Sequence, residues 1–461
     1  MADLAKGSKK LLNAWAFYDW ANSVYSLVIA SAVFPIFYGA LFSKAEIETI
    51  VVFGGEIRST PLISYVTAAA FLVVAFISPL LSGIADYVGN KKTFMKFFCY
   101  LGGLSCIGLY FFSLEHIYTS LLLYFLGLIG FWGSLVFYNS YLPDVAFKEQ
   151  QDSISAKGYS LGYIGSVVLL IFNLAMVMFP SVFGFDISIS NSILENGTEA
   201  EIQTALDTAK GAASIKAMQV SFVTVGVWWI GFSQYSFYFL PKGNKSNRKV
   251  TSKVLFNGFS ELRKVYNSLS ENFQLKRYLG AFFIYSMAVQ TVMLVATYFG
   301  EQEINWGGDD EKTLGLILSI LIIQLVAVVG AILTSRASTK FGNINTLIVI
   351  NGIWVAICIT AYFITSSMEF YVTAGVVGLV MGGIQSLSRS TYSKFLPETN
   401  DTTSYFSFYD VAEKIGIVIG MLIYGFIDQV TGSMRNSVLF LIVFFGIGVI
   451  LLLRVPRFST K

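Results

Sequence analysis

Charge is scarce in this sequence. Asp, Glu, Lys and Arg make up 13% of its 461 residues, while hydrophobic residues make up 55%. An average soluble domain has about 25% charged residues, so an ordinary soluble surface is excluded. Histidine occurs once, as His116 in a short connection, and a proton relay built on imidazole is not expected. The three cysteines give no disulfide framework. Cys99 and Cys106 stand two helical turns apart, about 10 Å along the axis at 1.5 Å per residue, which is beyond bridging reach. Cys358 falls in the other half of the chain. No metal-ligand cluster and no nucleophile–base pair is visible, so neither an enzyme nor a cofactor is expected. The Gly-Lys-Ser/Thr phosphate loop of nucleotide-driven pumps is also missing.

Long apolar runs are abundant, and the mean hydropathy is +0.66. A membrane-spanning helix needs about 20 apolar residues. Twelve stretches qualify: 15–42, 62–84, 94–114, 117–142, 158–182 and 218–240, then 278–300, 314–335, 344–366, 370–392, 404–427 and 437–453. Continuous apolar runs favour helices over a barrel, whose strands alternate apolar and polar residues. Net charge is only +3, but most Lys and Arg fall on one side of the implied topology. That bias places both termini in the cytoplasm and explains the basic residues without a nucleic-acid partner. Residues 1–10 form a basic tail with no cleavable signal pattern.

The connections are short or polar. Residues 43–61 read as a short outer loop, 143–157 as a charged cytoplasmic connection and 184–216 as a polar outer loop with the sequon Asn196-Gly197-Thr198. Residues 241–276 open with Lys242, Lys245, Arg248, Lys249 and Lys253. They read as a linker between bundles 1–240 and 277–461. Within it Val254, Leu255, Phe259, Leu262, Val265 and Tyr266 recur at helical spacing, which predicts an amphipathic helix on the inner membrane surface.

One polar stretch organises the chain: Ser82-Gly83-Ile84-Ala85-Asp86-Tyr87-Val88-Gly89-Asn90-Lys91-Lys92. Lying between two spans, it reads as a tight cytoplasmic turn, with Gly89 permitting the reversal and Lys91 and Lys92 marking the inner face. A second copy, Arg336-Ala337-Ser338-Thr339-Lys340-Phe341-Gly342-Asn343, carries Thr339 in place of the acid. Tyr138-Asn139-Ser140-Tyr141-Leu142-Pro143-Asp144 is likewise echoed by Tyr392-Ser393-Lys394-Phe395-Leu396-Pro397-Glu398. Two parallel repeats of six spans follow.

Ionisable side chains inside spans are costly and mark function or a buried pair. Asp19, Asn22, Ser23 and Ser26 form one stripe on the first span, with Trp15 a turn earlier, and Tyr18 and Tyr25 beside it. This stripe is expected to face a watery cavity. Gln385, Ser388, Arg389 and Tyr392 share a face of the tenth span, and the eleventh carries Ser407, Tyr409, Asp410, Glu413 and Lys414. Asp410 and Lys414 can pair within their helix, leaving Glu413 to find another partner. The cluster can bind a zwitterionic solute or exchange a proton as its surroundings alternate between apolar and cationic. The bland alternatives are gate salt bridges for Asp19 and Arg389 and packing roles for Gly158, Gly162 and Gly165.

The organising stretch resembles the loop between spans two and three of the major facilitator superfamily, with Ser82, Tyr87 and Asn90 departing from its usual residues. More specific stretches resemble the vacuole effluxer-like branch, related to the yeast autophagy-associated amino-acid effluxer. They are Tyr18-Asp19-Trp20-Ala21-Asn22-Ser23 with Phe34-Pro35, Phe137-Tyr138-Asn139 with Leu142-Pro143-Asp144, Gly158-Tyr159-Ser160-Leu161-Gly162-Tyr163 and Gly382-Gly383-Ile384-Gln385-Ser386-Leu387-Ser388-Arg389-Ser390. Phe406, Tyr409 and Lys414 fit its eleventh span. The resemblance implies an all-α membrane protein of twelve helices in two six-helix bundles, acting as a secondary transporter.

The expected function is alternating-access transport of a small polar solute, amino acids in the efflux direction foremost, with proton or ion coupling. The expected substrate or coupling site is Asp19, Asn22, Ser23, Tyr25, Asn139, Gln385, Arg389, Tyr409, Asp410, Glu413 and Lys414. The expected gating loops are Asp86, Gly89, Lys91, Lys92, Lys340 and Gly342. The partners are the lipid bilayer and a small molecule; a monomer in a bacterial inner membrane is expected. Uptake of sugars or peptides, or drug export, is the second reading, and a non-transporting receptor the third.

Overall fold

A computed structural model describes residues 4–190, 195, 197–243 and 254–456. The expected features at Asn196 and at Lys245, Arg248, Lys249 and Lys253 lie outside these residues. Helices dominate. The first, α1 (Lys9–Lys44), widens into a π-helix over Tyr25–Val33. Its cause lies just beyond: Pro35 has no N–H to donate, and its ring displaces the carbonyl one turn earlier. Ser31 Oγ accordingly donates to the Ser26 carbonyl, five residues back, at 2.9 Å.

A hairpin of β1 (Thr49–Val52) and β2 (Gly55–Arg58) follows, with Thr49 opposite Arg58 and Val52 opposite Gly55. Here the structure adds an element to the expected short loop, because a β-branched run meets a turn at Phe53 and Gly54. Next come α2 (Ser59–Val88), α3 (Lys91–Gly108), α4 (Ile117–Ser140), α5 (Gln151–Met178) and α6 (Glu199–Phe239). The second set comprises α7 (Val254–Glu271), α8 (Phe273–Glu303), α9 (Asp309–Phe341), α10 (Asn343–Phe363), α11 (Ser367–Phe395), α12 (Thr402–Thr431) and α13 (Met434–Leu453). Among the described residues, 11 helices are long and apolar enough to cross a membrane. Neither α7 nor α12 is among them; α12 is 30 residues long but carries Asp410, Glu413 and Lys414.

Three boundaries differ from expectation. The stretch 184–216 is not wholly a loop, since α6 starts at Glu199. Thr198 Oγ1 accepts the Glu201 N–H at 3.3 Å while Glu201 Oε2 accepts the Thr198 N–H at 2.8 Å. This capping box, followed by alanine-rich sequence, extends a polar helix beyond the apolar run. Most of the organising stretch is helix rather than loop: α2 continues to Val88 and the turn is only Gly89 and Asn90. Finally, α7 does not simply lie on a membrane surface. Its Val265 and Leu269 are buried in the second core, Ser268 Oγ bonds Tyr405 Oη at 2.8 Å, and Phe256, Phe259 and Tyr266 stay exposed.

Two apolar cores form, one from side chains between Leu11 and Leu240, the other mainly from side chains between Val265 and Val455. The helices alternate in direction, and both ends of the described chain meet one end of the molecule. There the Gly7 N–H donates to the Val145 carbonyl at 2.9 Å, and Arg277 donates to the Arg454 carbonyl at 2.5 Å. We call this the terminal end.

Gly89 closes α2 with φ +70°, and its N–H reaches the carbonyls of Ala85 and Asp86 at 2.9 and 3.2 Å. A β-branched side chain in this left-handed conformation costs about 1–2 kcal/mol. Gly89→Val should therefore reduce flux in proteoliposomes more than it reduces expression, whereas Gly89→Asn should keep most of both. Wild-type flux in Gly89→Val would remove the turn from the gate.

Candidate functional site

At the terminal end the two helical sets are tied by polar contacts in two tiers. The outer tier is built from helix ends. Asp86, at the end of α2, accepts the N–H groups of Thr403 and Ser404 at 3.3 and 2.6 Å. It thereby supplies a carboxylate to the first turn of α12, where the helix dipole and unpaired N–H groups favour one. Lys91, at the start of α3, pairs with Asp144 and donates to Thr402 Oγ1 at 2.9 Å and the Ser140 carbonyl at 3.0 Å. Elsewhere in the tier, Asp152 of α5 pairs with Lys394 at 2.5 Å and accepts from Ser338 Oγ and Asn343 Nδ2, each at 3.0 Å.

The inner tier is the Asp19–Arg389 pair, α1 to α11, both groups buried. Asp19 Oδ2 lies 3.3 Å from Nη1 and 3.2 Å from Nη2, and Tyr138 donates to it at 2.8 Å. The other guanidinium donors reach Ser155 Oγ at 3.0 Å, the Ser155 carbonyl at 3.0 Å and Asn139 Oδ1 at 3.2 Å. A guanidinium has five N–H donors, and these contacts use all of them. The rings of Trp15 and Tyr159 flank it, with centroids 4.8 and 4.2 Å from the guanidinium carbon. Gly158 is what lets α5 come this close: a Cβ there would strike Asp19 Oδ2 and crowd Arg389 Nη2.

Deeper lies a cavity of about 280 Å³, its open mouth included, lined chiefly by α8, α11 and α12. Its aromatic wall is Tyr159, Phe282, Tyr285 and Tyr409, and Glu413, Gln290, Gln385, Ser286 and Ser388 are its polar groups. Phe282 stacks on Tyr409 at 4.1 Å, Gln290 Nε2 donates to Glu413 Oε1 at 2.8 Å, and Tyr163 donates to Gln385 Oε1 at 2.7 Å. Beside the cavity Lys414 pairs with Asp410, lies 3.4 Å from Glu413 Oε2 and sits 4.0 Å over the Trp132 ring.

The expected site thus separates into parts. Asp19, Asn139 and Arg389 meet in the inner tier; Gln385, Tyr409 and Glu413 line the cavity; Asp410 and Lys414 adjoin it. The first-span stripe does not face a watery cavity. Asn22 and Tyr25 are buried in the first set of helices, Tyr25 stacked on Phe131 at 4.9 Å, and Ser23 packs against Gly162. The tight helix packing around α1 fills the space expected for water. Asp86 and Lys91 join the two sets, but Lys92 donates to the Leu240 carbonyl at 2.6 Å within the first. Lys340 is exposed beside Phe341, and Gly342 turns the chain with φ +82°. Sequence reasoning missed Tyr138, Ser155, Asp152, Lys394 and Gln290 as site residues. Gln290, a lone amide in an apolar run, was the clearest available signal.

Two helical sets closed over a polar cavity at one end match known transporters in fold. The structure aligns with the E. coli fucose transporter FucP in the outward conformation, with TM-score 0.67 and 13% identity over 97% of this chain and 98% of that one. It aligns with the human organic anion transporter MFSD10 with TM-score 0.65 and 12% identity over 96% and 99% of the two chains. The fold is that of the major facilitator superfamily. The sequence is more specific: the family described as vacuole effluxer Atg22 like matches residues 7–460, and the chain belongs to it. The MFS-type transporter YxiO of Bacillus subtilis is 29% identical over 458 residues, covering 98% of this chain and 96% of that protein. Autophagy-related protein 22-1 of Phaeosphaeria nodorum is 20% identical, covering 96% and 89%. The protein is a multi-pass integral membrane transporter with a small-molecule substrate.

Removing one partner of a buried ion pair costs about 3–5 kcal/mol, because the other charge stays buried alone. Asp19→Asn should therefore favour separation of the two sets at the terminal end. With Cys99, Cys106 and Cys358 replaced, a Thr403→Cys reporter should react with a membrane-impermeant thiol reagent about tenfold faster or more in the Asp19→Asn background. Equal rates would show that the pair does not hold the gate.

Proposed function

We propose that this protein is a secondary active transporter that carries a small polar solute, amino acids foremost, out of the cytoplasm by alternating access. Residues 1–240 and 277–461 act as two six-helix bundles, twelve spans in all, joined by 241–276. The observation that carries this reading is the two-tier polar closure at one end of a cavity lined by rings, amides and a carboxylate. The excess of Lys and Arg on the connections at that end supports a cytoplasmic location for it and for both termini. The conformer is then closed to the cytoplasm, as a carrier is when its site faces outward. Release of the Asp19–Arg389 pair and the Asp86, Lys91 and Asp152 contacts opens the route from the cytoplasm.

The efflux direction draws on the description of the family, the amino-acid cargo on the resemblance to the yeast effluxer, and a bacterial inner membrane on the Bacillus subtilis relative. A monomer suffices, since cavity and gate are built from one chain. Glu413 is the proposed coupling group. It lines the cavity while held by Gln290 and near Lys414, so motion between bundles changes its partners.

Uptake of radiolabelled amino acids into proteoliposomes, with and without an imposed pH gradient, tests this reading. Gradient-dependent accumulation should appear in the wild type and be lost in Glu413→Gln. If well-folded protein moves no amino acid, the cargo is wrong, and sugars, peptides and drugs become the next panel.

A further inference from the structure

The charges around the cavity do not balance. Arg389 is neutralised by Asp19, the two forming one closed pair. Next to them Asp410 and Glu413 set two carboxylates against one ammonium, Lys414. Lys414 is committed first to Asp410, is fully buried and lies over Trp132. Asp410 Oδ2 is buried without a hydrogen-bond partner among the described residues. The cluster therefore holds one negative charge more than positive, and Glu413 carries it to the cavity wall.

The groups facing Glu413 from the surrounding helices do not supply the missing cation. On α12 they are Tyr409, Asp410 and Lys414, and on α8 Gln290 and Tyr285. From α5 comes Tyr159, from α4 Trp132 beside Lys414, and from α11 Arg389, already paired with Asp19 of α1. The acid of α2, Asp86, is engaged at the far end of α12. Among the described residues no Lys or Arg lines the cavity, so none of them offers a cation to a cargo carboxylate there. What lines it instead is a carboxylate, Glu413, with the amides of Gln290 and Gln385 and the hydroxyls of Ser286 and Ser388, walled by rings that pack on one another or on Arg389.

We infer that the cavity reads the ammonium group of its cargo through Glu413, with the amide oxygens and hydroxyls beside it as further acceptors, and that this ammonium and a proton compete for Glu413. An α-carboxylate is not required. The cargo class is primary organic ammonium ions, amino acids being members through their amino group. Competition for one carboxylate makes exchange the coupling rule: the cargo ammonium leaves Glu413 as a proton arrives, and the converse, so no charge accumulates at the site. This rests on the transport reading above but not on amino acids being the physiological cargo.

The test uses the full-length protein in nanodiscs, titrated calorimetrically with three matched probes. These are L-phenylalanine (both charges), phenethylamine (ammonium only) and N-acetyl-L-phenylalanine (carboxylate only). The first two should bind and the third should not. Repeating the titration in buffers of different ionisation enthalpy should give proton release on binding at low pH. Affinity should rise with pH, because the ammonium and a proton compete for one carboxylate. Glu413→Gln should lose tenfold or more in phenethylamine affinity together with the pH dependence. Glu413→Asp, with unfolding temperatures of all variants as the folding control, should keep proton release.

Binding of N-acetyl-L-phenylalanine as tight as that of phenethylamine overturns the inference. So does pH-independent binding of phenethylamine, or silence toward all three probes. Flux of any solute in proteoliposomes is measured in parallel. It decides the transport reading on its own, so an ammonium-blind carrier and a protein that carries nothing give different results.

Discussion

A buried arginine ties the two halves of this transporter together, and its demands shape what surrounds it. Taking a guanidinium and a carboxylate out of water is expensive, and mutual attraction compensates only when every remaining donor and acceptor is met. Arg389 meets that condition with groups from α1, α4 and α5. The first set of helices thus forms a socket and the second supplies the plug. Tyr138 adds a third donor at Asp19 Oδ2, and Gly158 leaves room for both groups. Separating the two sets at this level removes the partners of all five guanidinium donors at once.

The outer tier shows how two related halves diverge while keeping one job. In the first half the acid at the end of α2, Asp86, reaches across to the first turn of α12. The second half has Thr339 where an acid would stand at the end of α9. There the carboxylate comes from the other side, as Asp152 in the first turn of α5, and the α9–α10 turn answers with Ser338 and Asn343 while α11 adds Lys394. Each contact joins a helix-connecting turn to the start of a helix in the opposite half, but the acid has changed sides.

Much of this was legible in the sequence because the membrane simplifies the code. Apolar runs of spanning length pointed to the helices, the repeated Tyr–Asn–Ser–Tyr–Leu–Pro–Asp and Tyr–Ser–Lys–Phe–Leu–Pro–Glu motifs suggested two related halves, and the rarity of intramembrane charge singled out Asp19, Arg389, Asp410, Glu413 and Lys414. The pairing of Asp410 with Lys414 followed from one-turn spacing. Partners distant in sequence did not: nothing local says that Asp19 meets Arg389, or that Tyr25 turns into a packed core while Asp19, on the same helix, turns toward the other half. The π-helical stretch that begins at Tyr25 alters the angular step between residues, so a stripe drawn at regular helical spacing cannot be continued through it. The extent of α6 was hidden for a different reason, since hydropathy reports membrane and not helix, and its polar start depends on a capping box.

The two tiers also differ in their contact with water. In the outer tier, Lys394 of the ion pair that crosses between the sets keeps 19% of its side-chain surface accessible and Asp152 keeps 7%, whereas Arg389 and Asp19 keep 2% and 6%. Dissolved ions screen exposed pairs and hardly touch buried ones. The closure is therefore a latch with a salt-sensitive rim around a salt-indifferent bolt. Ionic strength on that side of the membrane tunes how readily the rim loosens, while the bolt answers only to what happens in the cavity behind it.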